Sequence, residues 1–144
     1  MAMMQIYDIK KRKYLKTNRY LRGDIWMAEL PELNEDGVQQ GYRPVIILQN
    51  DIGNKYSPSV IIASITSSNE KVKKNFPTHF NLDSIQKNVD LGMEYIESTV
   101  LLEQITTINK SRLEMCIGHL NDEEMRELEV PLLKSLGVIP VWND

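Results

Sequence analysis

Two short apolar runs separated by a turn-forming stretch constrain the fold of this 144-residue chain more than any other feature. The runs are Pro44–Gln49 and Ser59–Thr66, and both are rich in isoleucine and valine. Short runs of this kind are typical of strands that are covered on both faces. Between them, Asn50–Pro58 contains Asx residues, a glycine and a proline, which predicts a turn. The segment therefore predicts two buried strands joined by a short connection.

The rest of the chain has the same character, with short strand patterns between turn residues. Alternating or β-branched runs predict four more strands, at Gly23–Leu30, Pro77–Leu82, Thr99–Ile108 and Arg112–Leu120. The Thr99–Ile108 strand is expected to bend near Glu103. Asp83–Glu97 combines helix-capping and turn residues, so a short helix and a turn both stay open there. Many short strands with one terminal helix favour a mainly β fold, a small closed barrel with peripheral helices.

The last segment has the period of an amphipathic helix. Asn121 and Glu124 form the N-x-x-E pattern of a capping box. Pro131 lies inside the pattern and is expected to kink or split the helix, because proline lacks an N–H group and clashes with the preceding turn. Gly137 predicts the helix end. Apolar residues recur at spacings of three and four on one face, at Met125, Leu128, Leu132 and Leu136.

Length and composition indicate one domain. We expect a basic N-terminal arm at residues 1–20, partly helical, and a single domain at residues 21–144. Cys116 is the only cysteine, which excludes an internal disulfide and favours a reducing compartment. The chain has no apolar run of about 20 residues and no signal-peptide pattern, so we expect a soluble, cytoplasmic protein without membrane contact.

Charge is distributed unevenly along the chain. The net charge is −3, but residues 1–22 carry seven Lys or Arg against one Asp, whereas residues 121–144 carry six acidic residues against two basic ones. Such an uneven distribution of charge can steer a polyanion to one side of a molecule whose total charge is negative. A basic tail and a solvated acidic helix explain the same pattern without any ligand.

Arg43 and Thr66 are the residues whose positions suggest chemistry. Arg43 precedes the first apolar run and Thr66 ends the second, so antiparallel pairing of the runs brings their side chains to one end of the sheet. A guanidinium group suits a phosphate, and a threonine hydroxyl supplies a small donor. No acidic residue or histidine stands beside them in the sequence, which favours an oxyanion or phosphodiester over a metal ion.

Other reactive residues are better explained as structural. His79 and His119 lack Cys, Asp or Glu at ligand spacing, so no metal and no cofactor are expected. Both histidines lie in apolar stretches, which favours hydrogen-bonded core or edge positions. Cys116 between Met115 and Ile117 is expected to pack in the core.

An ordered set of short motifs resembles the MazF/PemK family of toxin endoribonucleases, most closely the MazF toxins of Gram-positive bacteria. The set spans about residues 20–138 and consists of Arg22-Gly23-Asp24-Ile25-Trp26, Gly41-Tyr42-Arg43-Pro44-Val45, Gln49-Asn50-Asp51, Gly53-Asn54, Ser57-Pro58, Ile65-Thr66, Pro77-Thr78-His79 and Leu102-Glu103-Gln104-Ile105. The resemblance implies an SH3-like (CcdB/PemK-type) β-barrel that acts as a homodimer and cleaves single-stranded RNA without a metal. It also implies inhibition by a cognate antitoxin, with DNA contacted only indirectly through that antitoxin.

The family's catalytic pair falls on Arg43 and Thr66, and the resemblance implies attack of a ribose 2′-OH on the adjacent phosphate. Base selection should fall to neighbouring residues, which we take as RNA-binding candidates. Phe76 is a candidate for base stacking. Candidates for base-edge contacts are Gln49, Ser98 and Gln104, and candidates for backbone contacts are Lys71, Lys73 and Lys74. Core packing, backbone satisfaction and simple solvation are equally good explanations of these residues.

Two other functions stay open. The first is a non-catalytic toxin on the same barrel that inhibits a protein target such as DNA gyrase, which the negative net charge favours and the Arg43–Thr66 pair disfavours. The second is a regulator of transcription that assists its antitoxin on DNA. The residues alone do not assign a general base for the RNase reaction.

Overall fold

The computed structural model describes residues 4–8, 13–17, 19–32, 36–67, 76–82 and 98–142. The strands in these residues are β1 (Met4–Asp8), β2 (Lys13–Thr17), β3 (Asp24–Leu30), β4 (Gly41–Ile47), β5 (Ser59–Thr66), β6 (His79–Asn81), β7 (Thr99–Asn109) and β8 (Leu113–His119). The helices are α1 (Asp51–Tyr56) and α2 (Asp122–Ser135), and a short 3-10 turn spans Lys110–Arg112. The mainly β class and the C-terminal helix predicted from the sequence are confirmed.

The described strands form one sheet with the order β2-β1-β8-β3-β4-β5-β7-β6. Every neighbouring pair is antiparallel except β1 and β8, which run parallel. The central strands β3, β4, β5, β7 and β8 follow the apolar runs of the sequence, because β-branched side chains pack well on a pleated surface. Closure of this sheet into a barrel stays a prediction.

The sheet is buried on both faces. One apolar cluster contains Ile25, Ile46 and Val100, together with Met125 and Leu128 of α2, so the C-terminal helix packs on this face. We call it the helix face. A second cluster covers the opposite face, with Tyr20 packed against its edge, and its largest members are Trp26, Val45, Ile47, Ile62 and Leu113. We call this second surface the Trp26 face.

A bulge interrupts the pairing of β5 with β7. Ala63 lies opposite Ile105, but the next residue, Ser64, lies opposite Leu101. Three residues of β7, Leu102 to Gln104, are therefore extra relative to β5, which confirms the bend expected near Glu103. Bulges change the direction of side chains and bend a strand. This bulge separates the Thr99 end of β7 from the Asn109 end.

The connection between β4 and β5 is a helix, so the turn predicted for Asn50–Pro58 is wrong. Asn50 is the N-cap of α1, and its side-chain oxygen accepts a hydrogen bond of 2.8 Å from the backbone N–H of Gly53. Asx residues favour turns and helix caps for the same reason, the short side-chain oxygen that satisfies nearby N–H groups. The pattern therefore identified the residue type of the cap but not the six-residue helix that follows it.

The capping box of α2 is confirmed. Asn121 accepts from the N–H of Glu124 at 2.8 Å, and Glu124 accepts from the N–H of Asn121 at 3.0 Å. Of the two outcomes expected at Pro131, a kink or a split, the split is wrong, since one helix continues through this buried residue. Leu136 is 61% exposed because the helix ends at Ser135, so it does not belong to the buried face as predicted. Gly137 has a φ of +74°, which confirms it as the helix stop.

The expectation of a partly helical N-terminal arm is wrong for the residues described there, since β1 and β2 are strands that pair with each other and join β8. The Asp83–Glu97 segment lies outside the described residues. So does the loop that carries Lys71, Lys73 and Lys74.

Candidate functional site

Arg43 and Thr66 lie at the same end of the β4–β5 pair. Val45 lies opposite Ser64 in this pairing, so Arg43, two residues before Val45, and Thr66, two residues after Ser64, both continue beyond it in the same direction. Arg43 is the third residue of β4 rather than a residue ahead of the strand, because β4 begins at Gly41. The location expected from the sequence follows from simple antiparallel geometry.

Both side chains belong to the Trp26 face. Arg43 lies opposite Ala28, a member of the cluster on this face, and residues that lie directly opposite in adjacent strands share a face. Thr66 is two residues beyond Ser64 and four beyond Ile62 in β5, so it lies on the same face of the sheet as these residues. It lies opposite Thr99, and Thr99 in turn lies opposite Asn81 of β6. A polar row thus crosses four strands, from β4 to β6, on the face that α2 does not cover.

Thr66 and its neighbours in this row are largely buried. Thr66 is 8% exposed and Thr99 is inaccessible to solvent. Thr99 donates a hydrogen bond of 2.9 Å from Oγ1 to Oδ1 of Asn81. Hydroxyl groups held in this way have few accessible rotamers, so their donor directions are defined before any ligand arrives.

The Arg43 guanidinium is held by the loop between β3 and β4. Its Nε donates to the backbone oxygen of Gln40 at 2.8 Å, and its Nη1 donates to Oε1 of Gln39. Gly41 has a φ of +83°, a conformation that favours glycine, and this turn folds Gln39 and Gln40 back alongside the Arg43 side chain. Both acceptors are uncharged, so the contacts orient the guanidinium without neutralising it.

Gln104 in turn holds the loop. Its Oε1 accepts from the backbone N–H of Gln39 at 3.0 Å, and its Nε2 donates to the carbonyl oxygen of Gly37. Gln104 lies in the β7 bulge, which is what brings its amide within reach of the β3–β4 loop. A cavity of about 280 Å³ opens beside these contacts, lined among others by Leu30, Val38, Gln39, Ser64 and Gln104.

The residues predicted to contact RNA bases are distributed over more than one region. Ser98 is 4% exposed and lies next to Thr99, so it belongs to the same end of the sheet as Thr66. Phe76 is 48% exposed, with its ring edge-on to His79 at a centroid distance of 5.1 Å. Gln49 follows β4 at the far end from Arg43, where its Nε2 donates to the Ser59 carbonyl at 3.0 Å. The structure therefore does not bring Gln49 together with Arg43 within one chain.

Sequence patterns did not identify Gln39 or the hydrogen bond between His79 and Glu103. Nε2 of His79 lies 2.9 Å from Oε1 of Glu103, and Oγ1 of Thr78 donates to the other carboxylate oxygen at 3.1 Å. The His79 side chain is 4% exposed and lies on β6 at the edge of the sheet, which confirms the hydrogen-bonded core or edge position expected for it. These partners are 24 and 25 residues apart, so no local motif could have revealed them.

The opposite end of the sheet carries a second polar cluster. His119 Nδ1 lies 2.7 Å from Oδ1 of buried Asp24, and the hydrogen bond that this carboxylate accepts is the main cause that raises the pKa of His119. Arg22 connects neighbouring elements there, since Nη1 donates to the Leu48 carbonyl and Nη2 lies 3.2 Å from Oε1 of Glu129.

Cys116 is 1% exposed, as expected for a core residue, and burial raises the pKa of its thiol. The described part of the chain contains no group of three or more His, Cys, Asp or Glu side chains that could hold a metal ion. Within the same residues, no helix is both long and apolar enough to cross a membrane.

Comparisons with known proteins agree with one another. Residues 21–136 match the family described as PemK-like, MazF-like toxin of type II toxin-antitoxin system. The chain is also similar to the Endoribonuclease MazF of Staphylococcus saprophyticus subsp. saprophyticus, with 41% identity over 117 residues that cover 81% of this chain and 91% of the relative.

Two solved structures have the same fold. An endoribonuclease in complex with its cognate antitoxin from a mycobacterial species aligns with a TM-score of 0.59 and 21% identity, over 86% of this chain and 99% of that one. The Mycobacterium tuberculosis toxin MazF-mt6 aligns with a TM-score of 0.61 and 21% identity, over 79% of this chain and 96% of that one. At this identity the agreement concerns the architecture alone.

Proposed function

Because this chain belongs to the PemK-like, MazF-like toxin family of type II toxin-antitoxin systems and is an endoribonuclease toxin, we propose that it cleaves single-stranded mRNA at selected sequences without a metal ion. The single observation that carries this proposal is the placement of Arg43 and Thr66 at one end of one sheet face. A cationic fork beside a hydroxyl donor suits a phosphodiester.

The proposed reaction is an internal displacement at phosphorus. The ribose 2′-oxygen attacks the adjacent phosphorus, and the bond from phosphorus to the 5′-oxygen breaks. The 2′-OH proton passes to a general base that is not assigned here, and the departing 5′-oxygen takes up a proton. The products are a 2′,3′-cyclic phosphate, or the 3′-phosphate formed from it by hydrolysis, and a 5′-OH end.

Arg43 and Thr66 have distinct roles in this proposal. Arg43 stabilises the extra negative charge that the phosphorane bears in the transition state, and its N–H groups are fixed in direction before substrate binds. Arginine stays protonated in proteins, so charge stabilisation is a better role for it than proton transfer. Thr66 donates to a non-bridging oxygen or orients the 2′-OH.

Base selection falls to side chains around this end of the sheet. Phe76 offers an exposed ring for stacking, and Ser98 lies beside the polar row of Thr66 and Thr99. Lys71, Lys73 and Lys74 are proposed to contact the phosphate backbone of the RNA rather than its bases. Gln49 lies at the other end of β4 from Arg43, so the part of the RNA that it is proposed to contact is distant from the cleaved bond.

The proposed partners follow from the family. We propose that the chain acts as a homodimer in the cytoplasm and that a cognate antitoxin blocks its RNA site, with DNA contacted only through that antitoxin. Light scattering of the purified chain tests the dimer. The alternative of a non-catalytic toxin that inhibits gyrase has less support, because the relative with 41% identity is named an endoribonuclease.

The decisive experiment is cleavage of a long natural single-stranded RNA in EDTA, with primer extension to map the ends. Discrete cuts with 5′-OH ends, absent for Arg43→Ala, are the expected result. Replacement of the ribose at a mapped site by 2′-deoxyribose should abolish that cut alone. The proposal would be contradicted if the folded wild-type protein made no cuts, or if Arg43→Ala had full activity. Inhibition of gyrase would then be tested.

A further inference from the structure

The contacts of Arg43 imply a role for two glutamines that the family comparison does not assign. Arg43 Nη1 donates to the Gln39 side chain, and Gln39 is itself fixed through its backbone N–H by Gln104 at 3.0 Å. The second amide atom of Gln104 binds the Gly37 carbonyl. A continuous set of hydrogen bonds therefore leads from the β7 bulge, through the β3–β4 loop, to the guanidinium group.

We propose that Gln39 is a positioning residue for Arg43 and that Gln104 acts through it, by holding Gln39 in place. This inference rests on the proposed role of Arg43 at a phosphate. It gives Gln104 a different task from the base contact that the sequence suggested, because both ends of its side-chain amide are engaged with the loop.

The chemistry of the acceptors supports this assignment. A guanidinium group has five N–H donors, and the contacts to Gln39 and Gln40 engage two of its three nitrogens, Nη1 and Nε. An amide oxygen and a backbone carbonyl fix the orientation of the group while leaving its positive charge uncompensated. A carboxylate in the same place would bind Arg43 more strongly, but it would cancel the charge that a phosphorane requires.

Geometry explains why such a residue matters to the rate. Arg43 has a long flexible side chain, and fixing its direction in advance removes an entropic cost from the transition state. A displacement of about 1 Å in a catalytic group can lower a rate by about 100-fold. Gln39 is therefore expected to affect kcat much more than substrate affinity.

The test compares Gln39→Ala, Gln39→Glu and Gln104→Ala with wild-type protein and with the exposed loop control Glu32→Gln. Single-turnover cleavage of an RNA with one site gives the rate, and a 2′-O-methyl version of the same RNA gives binding without cleavage. Gln39→Ala should lower the rate about 10- to 100-fold with binding changed less than about threefold. Gln39→Glu should cleave at most as fast as Gln39→Ala. The double variant Gln39→Ala/Gln104→Ala should cleave no more slowly than Gln39→Ala alone.

Coupling to Arg43 separates positioning from direct RNA contact. In an Arg43→Lys background, which lacks the fork that Gln39 orients, Gln39→Ala should cause almost no further loss. Three results for Gln39→Ala would each overturn the assignment. The first is a full additional loss of rate in the Arg43→Lys background, and the second is an unchanged rate in the wild-type background. The third is weaker binding of the 2′-O-methyl RNA at an unchanged rate.

A spectroscopic readout keeps this inference distinct from the proposed activity. The Arg43 Nε–H resonance should exchange with solvent faster in Gln39→Ala than in wild type, because the guanidinium is less firmly held. This comparison does not require cleavage, so a wild-type protein without RNase activity would contradict the proposed function alone. An Arg43 resonance identical in the two proteins would overturn the positioning role.

Discussion

Thr66 lies directly opposite Thr99 in the antiparallel pairing of β5 with β7, and both threonines are buried at the end of the sheet that carries Arg43. The position leaves little freedom for the Thr66 hydroxyl, which is the chemical group that the proposed mechanism requires. A buried hydroxyl can be removed with almost no change of shape by substitution with valine, so this residue allows a clean test of one donor.

Thr66→Val is expected to lower the single-turnover cleavage rate about 100-fold, the size of effect seen when one donor to a developing oxyanion is removed. Thr66→Ser keeps the hydroxyl and should retain most of the rate. Thermal unfolding of both variants checks that the fold is intact. Equal rates for Thr66→Val and wild type would show that the hydroxyl takes no part in the reaction.

The two faces of the sheet predict that stability and activity can be separated. Asn121 caps α2, which packs on the helix face, whereas Arg43 and Thr66 lie on the Trp26 face. Asn121→Ala should lower the free energy of unfolding by about 1 kcal/mol through loss of the cap, and Asn121→Ser should restore most of it. Denaturant unfolding gives the stability, and the cleavage rate at a temperature where the variant is folded should stay unchanged. A rate loss in Asn121→Ala at that temperature would show that α2 communicates with the site.

The juxtaposition of Arg43 and Thr66 could be predicted from the sequence because it depends only on regular pairing. Two adjacent apolar runs with a short connection form an antiparallel pair. The start of the first strand and the end of the second then lie side by side, whatever the rest of the chain forms. The helix that replaced the predicted turn between them did not disturb this result, since it changes the connection and not the register.

The contacts around Arg43 could not be predicted in the same way. The reach of Gln104 to Gln39 depends on three extra residues in β7, and the sequence indicates a bend there without giving the direction of any side chain. The pairing of His79 with Glu103 likewise depends on the register between β6 and β7, which places His79 opposite Leu101 and which no local pattern encodes. Side-chain hydrogen bonds across such distances carry no periodic signal.

Gly23 is expected to be intolerant of substitution because two separate effects act there. Its φ is +92°, and a Cβ atom would lie 3.1 Å from the backbone oxygen of Leu120, a residue whose N–H donates a hydrogen bond to the Gly23 oxygen. Gly23→Ala should therefore cost more than the roughly 1–2 kcal/mol of a left-handed conformation alone. Gly137→Ala is the matched control, since its φ is +74° and a Cβ there meets no atom within 4 Å. Equal losses of unfolding free energy in the two variants would show that the contact with Leu120 is relieved at no cost.

The hydrogen bond between His119 and Asp24 predicts that part of the stability depends on pH. The buried carboxylate of Asp24 raises the pKa of His119 above its ordinary value of 6.5. A group whose pKa is higher in the folded state binds its proton more tightly there, so its contribution is complete below about pH 6.5 and declines as the pH rises through the folded pKa. Two further acidic residues, Asp122 and Asp51, reinforce the shift, and both belong to the first turns of helices at this end of the sheet.

The test compares the unfolding free energy of wild type and His119→Gln at pH 5.5 and pH 8.5. The difference between the two proteins should be larger at pH 5.5 and smaller at pH 8.5, because only the protonated imidazole forms an ion pair with Asp24. The change should be about 1 kcal/mol or less, since the His119 side chain is 49% exposed and solvent screens such pairs. Glu114→Gln, an exposed position on β8, controls for general charge effects. A difference that grows toward pH 8.5 would mean that the neutral imidazole is the form bound by Asp24.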